Sequence, residues 1–93
     1  MTAIHLSLAR VVHGDQARDS HLFGPIAETT EPFRLQKSGM YAIDSCGEFE
    51  GAVVALERRG PGDQESWLPV VVFDRNRARN AELVAGVYRV QVS

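Results

Sequence analysis

The sequence predicts an all-β fold, a small antiparallel β-sandwich of jelly-roll or immunoglobulin-like type. It would have six to seven short strands and a long N-terminal loop or arm. Three observations lead there. Apolar or alternating runs recur about every ten residues, punctuated by Gly, Pro, Asp and Ser, the spacing of a sandwich or barrel. Residues 51–73 read as a β-hairpin, with arms over residues 52–58 and 67–73 flanking Gly60, Pro61 and Gly62. Residues 87–92 alternate strictly, with Tyr88, Val90 and Val92 on one side and Arg89 and Gln91 on the other, as in a half-buried strand.

Residues 2–12 fit two periods. Ile4, Leu6 and Leu8 alternate as in a strand, whereas Ile4, Leu8, Val11 and Val12 share a helical face. The β-like remainder of the chain favours the strand. Residues 13–32 carry turn chemistry at Gly14-Asp15, Asp19-Ser20, Gly24-Pro25 and Glu31-Pro32, with little periodicity. They are expected to form an extended loop or arm, or to hold one further short strand. Leu22, Phe23 and Ile26 would pin this segment to the core or to a partner.

Phe33-Arg34-Leu35-Gln36 alternates and turns at Lys37-Ser38-Gly39. Residues 40–45 then set Tyr41 and Ile43 against Met40, Ala42 and Asp44, and Cys46-Gly47-Glu48 reads as a turn. Residues 52–58 are apolar on both faces, which marks a central strand. Pro69 lacks the ladder donor, so its strand lies at an edge or is bulged there. Residues 74–80 read as a polar, basic turn, and residues 82–84 as a short strand.

Composition sets the outer limits. The chain has 93 residues, 44% of them apolar, which suits one globular domain over residues 1–93 with a single modest core. A net charge of −2 gives no global pull toward nucleic acid. With Cys46 as the sole cysteine, neither an intramolecular disulfide nor a cysteine zinc site is possible. The N-terminus lacks a signal peptide's basic region and apolar core, and no apolar run approaches the ~20 residues of a membrane span. The expectation is a protein made in the cytoplasm that binds neither membrane nor nucleic acid.

No catalytic, cofactor-binding or metal-binding constellation emerges. His5, His13 and His21 recur every eight residues, a spacing that does not converge ligands on one strand or helix turn. They read as exposed or loop histidines. Asp44, Glu48 and Glu50 bracket one turn but lack the pattern of a calcium loop. Cys46 and Ser20 stand in no nucleophile motif, and Gly60-Pro61-Gly62 carries a proline where a phosphate loop needs N–H donors. Arg75, Arg77 and Arg79 form the basic cluster, suited to a solvated turn or a salt-sensitive protein contact. Trp67 reads as core packing, an interface anchor or, with Tyr88, a carbohydrate platform.

One resemblance adds to this. Ser38-Gly39-Met40-Tyr41, Gly51-Ala52-Val53-Val54-Ala55-Leu56-Glu57-Arg58, Gly60-Pro61-Gly62, Trp67 and Leu83-Val84-Ala85-Gly86-Val87-Tyr88-Arg89-Val90 follow a shared layout. It resembles that of small tailed-bacteriophage head-decoration or cement proteins, over about residues 33–92. The resemblance implies a non-enzymatic virion structural protein on the capsid surface, made in the host cytoplasm and without a cofactor. It further implies binding to the major capsid protein as a homo-oligomer, a trimer or dimer. The resemblance supplies no binding residues; the residue pattern itself puts the expected partner contacts at Leu22, Phe23, Ile26, Trp67, Arg75, Arg77 and Arg79. The rival expectation is a ligand-binding β-sandwich module gripping carbohydrate through Trp67.

Overall fold

The structure is a computed structural model that describes residues 2–11, 20–60 and 66–93. Among them are eight strands: β1 (Ala3–Arg10), β2 (Ser20–Ile26), β3 (Phe33–Leu35), β4 (Gly39–Glu48), β5 (Val54–Arg59), β6 (Trp67–Phe73), β7 (Arg77–Leu83) and β8 (Gly86–Val92). They form two four-stranded sheets, β2-β1-β4-β7 and β3-β8-β5-β6, antiparallel throughout. The β-sandwich expected from the sequence is the fold, with one or two more strands than counted there.

Between successive strands the chain stays within a sheet only at β1–β2 and β5–β6, and elsewhere crosses to the other sheet. That alternation is jelly-roll connectivity. The core lies between the sheets. Ile4, Leu6, Leu8, Tyr41, Ile43 and Leu83 come from one side, and Leu35, Val54, Leu56, Val71, Phe73, Tyr88 and Val90 from the other. Each large apolar side chain buried this way stabilises the fold by roughly 1.5–3 kcal/mol relative to exposure.

Two tyrosines tie strand starts to the chain just before them. Tyr41 Oη donates to the Lys37 carbonyl at 2.6 Å, and Tyr88 Oη to the Val84 carbonyl at 2.7 Å. Each tyrosine stands two residues after a glycine, and Ser38 Oγ accepts from the Ala85 N–H at 2.7 Å, linking the two corners. These Gly-x-Tyr stretches are the tyrosine corners of a β-sandwich. They supply much of the motif layout noted in the sequence.

Of the two expectations for residues 13–32, the further short strand is the one that forms within residues 20–32. Ser20–Ile26 is an edge strand paired with β1, with a register irregularity between Ile4 and Leu6. Residues 12–19 lie outside the described residues. Thr29 and Thr30 run along the edge of β8: the Thr30 N–H donates to the Val90 carbonyl, and the two hydroxyls accept from the N–H groups of Val92 and Val90. The presumed turn over residues 46–48 belongs to β4. There Gly47, at φ 128°, lies so close to β1 that a Cβ would run into the Ala3 carbonyl oxygen. The basic turn also shortens: β7 starts at Arg77, not at residue 82.

Candidate interaction surface

The outer face of the β3-β8-β5-β6 sheet carries the most organised polar group of the described residues. In β5, Val54 and Leu56 point into the core, so Glu57 and Arg59 point out. In β8, Tyr88 and Val90 point in and Arg89 points out. Glu57 stands opposite Arg89 on one side and Pro69 on the other, and Arg59 stands opposite Trp67. Arg89 Nε donates to Glu57 Oε1 at 2.7 Å, with the Glu57 side chain only 10% exposed. The same guanidinium lies 4.5 Å from the Trp67 ring centroid, and that of Arg59 lies 5.2 Å away. A desolvated carboxylate, a bridging arginine and an indole face thus form one unit.

Pro69 helps to build this unit. The β5–β6 register slips between Leu56 and Glu57, leaving Val70 as the extra residue. Both alternatives read from the proline are realised, because β6 is an edge strand and is bulged there. Arg89 occupies the position over the indole that a sugar ring would take, so this geometry does not favour the carbohydrate reading of Trp67.

The other residues expected to bind partners fall in separate places. Leu22 points outward from β2 and is 76% exposed. Phe23 and Ile26 instead pack against the protein's own core. Phe23 joins His21, Phe33 and Tyr88 in an aromatic cluster, with the Phe33 ring 4.9 Å from both His21 and Phe23. His21 is therefore a half-buried strand residue, not a loop histidine. His5 is exposed on β1, and His13 lies outside the described residues.

The three arginines do not converge either. Arg75 pairs with Asp74 at 2.9 Å in the bend before β7, and the Arg75 hydrogen bond and charge hold the Asp74 carboxyl below its ordinary range. Arg77 and Arg79 stand opposite Ser45 and Ile43, in the inward phase of β7, yet both are exposed at the open side of the sandwich. Inward-phase charges at an edge discourage edge-to-edge pairing.

Each edge strand is blunted differently. β2 contains Gly24-Pro25, β3 has three residues, β7 has its arginines and β6 has Pro69. β6 is also wholly uncharged and exposes Leu68, Val70 and Val72, making it the most apolar edge.

The remaining candidates do not assemble. Among the described residues, no group of three His, Cys, Asp or Glu could hold a metal ion. Asp44 and Glu48 point outward from β4, and Cys46 between them is exposed opposite His5. A shallow groove of about 410 Å³ over residues 25–30 is lined by Glu28 and by the threonines whose hydroxyls already serve β8. The Glu57–Arg89–Trp67 unit escaped the sequence reading. Strand phase held the signal, since alternation puts Glu57 and Arg89, of opposite charge, on the solvent face of two adjacent strands.

Compared with protein-family models, curated proteins and solved structures, the chain shows no significant match to any of them.

Proposed function

We propose that this protein is a non-enzymatic binding subunit that attaches to an assembled protein shell and stabilises it, as a tailed-phage capsid decoration protein does. The observation that carries the reading is β6. It is an open sheet edge with no charge in seven residues and with Leu68, Val70 and Val72 exposed beside an anchored tryptophan. Exposed apolar side chains on an unpaired, uncharged sheet edge are the feature of a contact that another protein covers. The part of the residue 33–92 layout outside the two Gly-x-Tyr corners, Gly60-Pro61-Gly62 and Trp67 among it, resembles the same class.

The partner in this reading is the major capsid protein, the location is the virion surface, and the protein acts as a homo-oligomer. The arginines at positions 75, 77 and 79, in and just before the edge strand β7 of the other sheet, tune the contact at its rim. The test uses shells of the phage that carries the gene, prepared without decoration subunits. The protein should co-sediment with them, saturate at a fixed ratio to the coat protein and raise the melting temperature of the shell. Leu68→Asp with Val70→Asp should abolish binding while leaving the circular dichroism spectrum unchanged. Failure to co-sediment, or binding that ignores the double substitution, would overturn the reading.

A further inference from the structure

The two sheets turn their outer faces in opposite directions, and the faces differ in sign. On the β2-β1-β4-β7 sheet, Asp44 and Glu48 alternate with the buried Tyr41, Ile43 and Ser45, and Glu82 stands opposite Met40. All three acids are exposed, and among the described residues no Lys or Arg has the outward phase on these strands. The exposed apolar residues Leu22 and Met40 lie on the same face.

The other face is basic. Arg34 stands opposite Val87, in the outward phase of β3, and joins Arg59 and Arg89 against Glu57, the single outward-phase acid among the described residues of these strands, which Arg89 already neutralises. Val72, opposite Ala55, adds an exposed apolar group.

We infer that copies of this protein associate head to tail, the acidic outer face of one lying on the basic outer face of the next. Three features select a second copy as the occupant. The faces are complementary in charge, whereas stacking either face on itself would oppose like charges. Both faces carry exposed apolar groups that such stacking would cover. The molecule is a slab of 37 × 35 × 17 Å. Each four-stranded sheet, at about 4.8 Å between strands and ~3.3 Å per residue along strands of up to ten residues, presents an outer face of roughly 500 Å², the size of a weak, concentration-dependent contact.

Because the joined surfaces differ, the contact is heterologous and continues past a dimer. The inference concerns contacts between copies and is tested without shells, so it can fail while shell binding stands, and the reverse.

The experiment is sedimentation velocity on the purified protein over a range of concentrations, at low salt and at ~1 M salt, where the screening length is ~3 Å. Mean mass should rise beyond a dimer with concentration at low salt and fall back toward the monomer at high salt. One variant reverses the basic face, Arg34→Glu with Arg59→Glu. The other reverses the acidic face, Asp44→Arg with Glu82→Arg. All four positions are exposed, so both variants should fold. Each alone should associate at least about tenfold more weakly. Mixed together they should recover, because each reversed face then meets an oppositely charged one in the same geometry. A monomer under all conditions, an assembly that stops at two, or a mixture no stronger than its components would overturn the inference.

Discussion

Replacing Arg89 with Met tests the physical account of the sheet surface most directly. Met keeps much of the apolar stem and removes the guanidinium that both pairs with Glu57 and stacks on Trp67. Glu57 would then be left 10% exposed without the 2.7 Å donor that satisfies its carboxylate. A hydrogen bond to a charged group contributes about 1.5–3 kcal/mol. The arginine side chain is 28% exposed, so water relieves part of the loss and the lower half of that range applies. The cation–π contact adds about 0.5–1 kcal/mol.

The expected destabilisation is therefore about 2–3 kcal/mol, or a fall in Tm of roughly 10–20 °C for a domain this small. Urea denaturation would be followed by far-UV circular dichroism and by the fluorescence of Trp67, the chain's one tryptophan. Combining Arg89→Met with Glu57→Leu removes the orphaned charge. The double variant should lie above the sum of the single losses by about 1–2 kcal/mol. A single loss below ~1 kcal/mol, or additivity within ~0.5 kcal/mol, would refute the argument that the pair is coupled and desolvated.

Three further outcomes are expected. Burial raises the Tyr88 phenol above its ordinary value of 10.0, so the folded state holds that proton more tightly than the unfolded chain. Its contribution is complete below pH 10 and is lost as pH rises through the raised value. Tyr88→Phe should thus cost about 1 kcal/mol at neutral pH through the lost bond to Val84, and should show a shallower alkaline decline of Tm. Phe23→Ala should destabilise by about 2 kcal/mol in chemical denaturation, as a half-buried core aromatic, whereas Leu22→Ala should leave stability within about 0.5 kcal/mol. Gly47→Ala should lower stability by at least about 1–3 kcal/mol in the same assay, because φ 128° and the Ala3 carbonyl both oppose a Cβ.

Regular alternation made several elements legible. β8, the β5–β6 hairpin and the inward Tyr41 and Ile43 of β4 could be read because period two is visible without a partner strand. Pro69 announced an edge or a bulge, since a missing donor restricts any strand in the same way. β2 was legible only as an alternative to an arm, without its bounds or its inward residues. Phe23 and Ile26 are three residues apart, and both reach the core only because the register slips across Gly24-Pro25 against β1. The arginines of β7 look like a turn in sequence, and only pairing with β4 makes them a strand.

By itself, then, the sequence determined the fold class, the alternation of most strands, the apolar residues that build the core and the charges available for the surface. These follow from local period and composition. The tertiary structure alone decided which residues meet. Trp67 and Arg89 lie 22 positions apart and touch because β6 and β8 flank the same strand, β5. The division of acidic and basic groups between opposite faces depends in the same way on strand order, because a strand's phase says which residues share a side but not which sheet that side belongs to.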